Sequence, residues 1–276
     1  MSDNTQSLYT ANTGFNVVDT ANPNLNGKYG DYVTILSSGT HGTLIKSVII
    51  KCISPTPFGM VRLFIGNTVG EEGILIREIP IPVYPQSPTT PIPAPIWPML
   101  EIDLPLNLYL ESSTTLIAST QTATSFNVIA QGLNLSFPAD QPTTCCYDKE
   151  LTPTVGRGII GVANENTDGS GDITKILAAG STSNGTTITS ITIAALQSTT
   201  KGMVRLFLSK DDGQTYLLWM EIVIPDSNQS AYQPSFKTVI NENFDLQASY
   251  CIGASTQNAE AFAITIEGQN WTYPFF

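Results

Sequence analysis

Gly59-Met60-Val61-Arg62-Leu63-Phe64 recurs letter for letter as Gly202-Met203-Val204-Arg205-Leu206-Phe207, 143 residues further on. The match widens when followed outward. Ala21-Asn22-Pro23-Asn24 parallels Ala163-Asn164-Glu165-Asn166, and Ile35-Leu36 with Gly39 parallels Ile176-Leu177 with Gly180. Glu78-Ile79 and Pro82 parallel Glu221-Ile222 and Pro225. Beyond them the offset falls to 136, where Ser119-Thr120-Gln121 meets Ser255-Thr256-Gln257 and Phe126 meets Phe262. The drop marks a longer insertion in the first copy. A period near 140 residues is the size of a whole domain rather than of a solenoid unit.

Each copy reads as β. The runs 47–53, 60–65, 74–79 and 126–132, and their counterparts 190–196, 203–209, 216–224 and 261–268, are short and rich in β-branched and aromatic residues. Gly, Asn, Asp and Pro punctuate the gaps, and no amphipathic helical window of ordinary length interrupts them. The expectation is an all-β chain of two tandem jelly-roll-type β-sandwich domains related by internal duplication. The first spans 1–140 with a Pro-rich insertion at 79–98, a linker occupies 141–155, and the second domain spans 156–276.

Composition narrows the function. Lys and Arg number 12 against 23 Asp and Glu, and only 13% of the 276 residues are charged, about half the usual share. With 41% hydrophobic residues the chain is no acidic disordered tail. No Lys/Arg cluster exists to displace phosphate counterions, so nucleic acid is not an expected partner. No apolar stretch approaches the ~20 residues of a membrane helix, and the first ten residues lack signal-peptide character. The sequence therefore suggests a protein made in a cytoplasm and not bound to membrane.

Catalytic chemistry is hard to assemble. A single histidine, His41, cannot build a multi-His metal site, and Asn184 holds its place in the second copy. A turn explains both residues, because His and Asn tolerate positive φ. Cys52, Cys145, Cys146 and Cys251 show no C-x-x-C spacing and read as reduced thiols. Asn164-x-Asn166-x-Asp168-Gly169 mimics half a calcium loop, but Lys175 stands where its bidentate Glu belongs. No catalytic residue, cofactor or metal is expected. Trp97, Trp219 and Trp271 could form a carbohydrate-stacking platform, although Trp219 sits inside a strand run. The sequons at Asn134, Asn184, Asn228 and Asn270 carry little weight in a Ser/Thr-rich chain.

Two structural features stand out instead. Arg62 and Glu78 are equidistant from Gly70, and Arg205 and Glu221 from Gly213, which makes each a cross-strand ion pair if those glycines centre the turns. The stretch 79–98 holds eight prolines, too many for a central strand. Its apolar residues, with Pro91, Ile92, Ile96 and Trp97 foremost and Met99 just beyond, suggest an arm laid on another subunit.

The order I-L-x-x-G, G-M-V-R-L-F, E-I-x-[IV]-P and S-T-Q…F-x-[IV]-x-x-G resembles a β-sandwich module of tailed-bacteriophage virion proteins, including those of crAss-like phages. The resemblance covers roughly 14–137 and 156–273. It implies a non-enzymatic virion component, made in the bacterial host cytoplasm. The module is associated with head auxiliary or decoration proteins, so the implied partners are a phage capsid protein, further copies of the chain, or both. A tail or receptor-binding, carbohydrate-binding module is the alternative.

Overall fold

The computed structural model describes residues 8–25, 30–54, 56–66, 73–83, 99–136, 150–180, 183–229 and 235–272. Among them lie sixteen strands and no helix. The first eight are β1 (Leu8–Val18), β2 (Val33–Ser37), β3 (Thr43–Cys52), β4 (Gly59–Gly66), β5 (Ile74–Ile81), β6 (Glu101–Leu110), β7 (Thr115–Thr120) and β8 (Phe126–Ser136). The second eight are β9 (Glu150–Ile160), β10 (Thr174–Ala178), β11 (Gly185–Ala195), β12 (Gly202–Ser209), β13 (Leu217–Ile224), β14 (Lys237–Leu246), β15 (Cys251–Thr256) and β16 (Phe262–Thr272).

The pairing order explains the architecture. In the first copy β4 pairs with β5, β3 with β6, β2 with β7 and β1 with β8, all antiparallel. That is one long four-layered hairpin. Rolling it up brings β3 against β8 and β4 against β7, giving sheets β1-β8-β3-β6 and β2-β7-β4-β5. This is the jelly-roll sandwich. The second copy repeats it as β9-β16-β11-β14 and β10-β15-β12-β13.

The copies agree down to their irregularities. Register shifts fall between Thr34 and Leu36 and again between Lys175 and Leu177. They recur at Ile45/Ser47 and Ile188/Ser190, and at Leu63/Phe64 and Leu206/Phe207. Bulges re-aim the chain where a sheet must bend, so their retention marks them as parts of the fold. The first bulge explains a glycine. A Cβ on Gly156 would sit 2.5 Å from the Ile176 carbonyl oxygen, and one on Gly14 would collide with that of Ile35.

Two features differ from the sequence expectation. Residues 150–155, expected in the linker, form the first half of β9. Strand β9 lies at a sheet edge, where a proline such as Pro153 is tolerated. Pro80, inside the Pro-rich stretch, likewise lies within edge strand β5, opposite Met60. Residues 84–98 of that insertion, with Pro91, Ile92, Ile96 and Trp97, lie outside the described residues.

The interiors are apolar. Val61, Leu63, Ile81, Leu116 and Val128 centre one cluster, and Val204, Leu206, Trp219, Phe244 and Ile266 centre the other. The second cluster also holds Phe15, Ile49 and Ile129, which belong to the first copy.

Candidate functional site at the domain interface

The shared polar residues serve the scaffold. Arg62 lies on β4 and Glu78 opposite it on β5, and Arg62 Nε donates to Glu78 Oε1 at 2.9 Å. Arg205 and Glu221 repeat this on β12 and β13 at 3.0 Å. Each guanidinium also donates through Nη1 to a loop carbonyl, Asn22 O at 3.2 Å or Asn164 O at 3.1 Å.

Those asparagines are buried and hold their own loops. Asn164 Nδ2 donates to Ser170 O (2.9 Å) and Asp172 O (3.1 Å), while its Oδ1 accepts from the Asn166 amide (3.0 Å). Asn22 does the same with Asp31 O and the Asn24 amide, both at 3.0 Å. The calcium-like motif thus spends its leading side chain on backbone. Asp168 accepts from the Ser170 hydroxyl and amide, which lowers its pKa. Among the described residues no group of three His, Cys, Asp or Glu side chains could hold a metal.

The other candidates are placed as follows. His41 is exposed and its carbonyl accepts from the Tyr109 hydroxyl at 3.0 Å. His41 lies in a turn and Asn184 in a bend, as expected, but positive φ falls on Gly42 (+93°) and on neither His41 nor Asn184, so left-handed backbone is not what selects them. Trp219 and Trp271 are both buried, Trp219 against Phe244 with ring centroids 4.5 Å apart. A platform built on these two indoles is therefore not available at the surface. Cys52 and Cys251 are buried free thiols, and desolvation pushes Cys52 up to about 11 despite Lys51 beside it. Cys145 and Cys146 lie outside the described residues.

The copies part company at their junction. The side of a jelly roll between its fifth and sixth strands is open, because each is the edge of its sheet. In the second copy this opening, between β13 and β14, is closed by the outer face of the first copy's β1-β8-β3-β6 sheet. One row across that face, Phe15–Ile129–Ile49, is set by register on β1, β8 and β3. All three side chains join the second core, and Phe15 packs edge-on against Tyr250 with centroids 5.6 Å apart.

Polar contacts rim this plug. Asn127 Nδ2 donates to Leu218 O at 2.9 Å, and Thr13 Oγ1 to Asp245 O at 2.6 Å. Lys46 Nζ pairs with Asp245 Oδ2 at 2.5 Å. Lys51 is buried, with Nζ 3.5 Å from Glu221 Oε2 and 3.3 Å from both Glu101 Oε2 and Met99 O. Glu221 Oε2 also accepts from the Met99 amide at 2.7 Å. Glu221 thus answers two cations and an amide while its side chain is only 2% exposed; its counterpart Glu78 is 41% exposed. Nearby, desolvation raises the pKa of Glu242 on β14, and the charges of Glu101 and Asp103 on β6 add to the rise.

Phe15, Ile49, Lys51, Asn127 and Ile129 were missed from sequence. The available signal was asymmetry: register places Arg157, Thr192, Ala194, Ala263 and Thr265 at these positions in the second copy.

No known family matches the chain's sequence, and no curated protein matches it. Among solved structures, the tandem CBM22-1-CBM22-2 domain of Paenibacillus barcinonensis Xyn10C is 10% identical over 95% of this chain and 93% of its own, with a TM-score of 0.24. The STIV MCP is 9% identical over 95% and 97%, at 0.27. The major capsid protein P2 of bacteriophage PM2 is 11% identical over 94% and 97%, at 0.23. All three likenesses are distant.

Proposed function

We propose that the chain is a non-enzymatic structural component of a bacteriophage virion, an auxiliary or decoration protein that packs against capsid subunits. The observation that carries this reading is the division of labour between the copies. Arg–Glu pairs and asparagine loops common to both are spent on holding the sandwich, whereas the residues that differ form a docking face. A protein built this way acts by packing, and the phage-module motifs in its sequence supply the setting. Its partners are then capsid protein, other copies of the chain, or both.

Mixing the purified protein with phage capsids lacking it, then sedimenting the particles, tests the proposal. Saturable co-sedimentation is the expected result; protein left wholly in the supernatant would overturn it. A tail-borne carbohydrate-binding role has less support, since two of the three tryptophans are interior. Glycan binding lost on Phe58→Ala or Tyr109→Ala, the exposed aromatics among the described residues, would favour that role instead.

A further inference from the structure

The junction between the copies uses one sheet face and one open side and, among the described residues, leaves one of each unused. The used pair is the outer face of β1-β8-β3-β6 and the open side between β13 and β14. The unused face is that of β9-β16-β11-β14. The unused open side lies between β5 and β6. We infer that the unused face is a docking surface for a second copy of this chain, which presents its β5/β6 side.

The unused face keeps an apolar character that exposure alone does not require. The outward stripe of β9 carries Leu151, Val155 and Ile159, exposed at 48%, 47% and 65%. At the matching positions of β1, Thr13 is covered at 1% and Tyr9 and Val17 are half-buried, while Phe15, in the place of Arg157, is covered at 4%. A cross-strand row runs Ile159–Ala263–Ala194, so small residues leave room beside the isoleucine. Arg157 and the Thr265–Thr192 row divide these residues, so the face is apolar in two patches with a polar strip between them, a mixed surface of the kind found at interfaces.

The unused open side answers it. Where the second copy buries Leu218, Trp219 and Phe244, register places Leu75, Ile76 and Leu108, none of them fully buried. Ile74 beside them is 72% exposed and Tyr109 is 49% exposed. Both surfaces also carry charge: Arg157, Lys237 and Glu267 stand exposed on the face, and Arg77, Glu111 and the Arg62-paired Glu78 on the open side. The occupant is argued from continuity with an interface the chain already makes between its own halves. A face that meets a different surface is a heterologous contact, which repeats into a ring or a filament. The inference rests on the junction and is independent of any place in a virion.

The test is mass in solution by light scattering and sedimentation velocity, with two full-length variants. Ile159→Glu spoils the face and Ile74→Glu spoils the open side; both sites are exposed, so circular dichroism and melting should match wild type. Wild type is expected as an oligomer and each variant alone as a monomer. Each variant retains the half the other lacks, so an equimolar mixture should form a dimer. Wild type that stays monomeric as concentration rises would overturn the inference. So would oligomers persisting in both variants, which would point to residues 84–98, oligomers persisting in Ile74→Glu alone, which would point to face-on-face pairing, or a mixture that stays monomeric.

Discussion

The same Arg–Glu pair occurs twice in this chain in two environments, so one substitution can be read against its internal control. Replacing Glu221 by Gln keeps shape and hydrogen-bonding capacity but removes a charge that is 2% exposed. Arg205, at 6% exposure, loses its carboxylate, and Lys51, at 1%, keeps only Glu101 and the Met99 carbonyl. Removing one partner of a buried pair costs about 3–5 kcal/mol, since the remaining charge stays in low dielectric. Glu78→Gln removes the equivalent charge where it is 41% exposed and solvent already screens it. Arg62 is as buried as Arg205, at 6%, but among the described residues it is the only buried cation left there, so the expected loss is smaller than at Glu221, about 1–3 kcal/mol. Urea unfolding followed by tryptophan fluorescence, with Trp219 next to the site, measures both. Adding Lys51→Met to Glu221→Gln should recover part of the loss, because it removes one uncompensated cation. Equal losses for the two single variants would refute the reasoning, showing that the junction does not desolvate Glu221 in solution.

Phe15→Ala should cost about 3–5 kcal/mol in the same assay, as for a buried phenylalanine, while Ile159→Ala on the exposed equivalent sheet face should stay within about 0.5 kcal/mol in the monomer. Glu242 has a folded pKa raised above its unfolded value, so its contribution is fully present below the unfolded pKa and is lost as pH rises through the folded one. Glu242→Gln should therefore stabilise the protein at pH 7, with the gain vanishing near pH 4, as melting across pH would show. Gly156→Ala should lose about 1–3 kcal/mol by driving its Cβ into the Ile176 carbonyl, measured as a shift in the urea midpoint at unchanged slope.

Much of the fold could be read from the repeat. Strands β3, β4, β5 and β8 and their counterparts are dense in β-branched and aromatic residues, and two copies of one pattern removed the ambiguity of a single apolar run. Strands β1 and β9 hid better. Asn12, Thr13, Gly14 and Asn16 look like loop residues, yet β1 pairs along its whole length with β8. Strand β6 carries Pro105 and Asn107 at a bulge on a sheet edge, where neither harms the ladder. The Arg–Glu pairs were legible because symmetric spacing about a turn is a local property. The junction was not. Phe15, Ile49 and Ile129 lie on three strands spread over 115 residues, and only register aligns them in one row. Their replacement by Arg157, Thr192 and Thr265 gains meaning once the second sheet face is seen to be bare.

A reconstruction of the intact virion decides whether this molecule is a part of the particle's shell. If the proposed capsid role is right, density for paired jelly rolls lies on the outer capsid surface, with β9 buried against a neighbouring subunit. Purified particles whose shell is complete and contains no such density would contradict it.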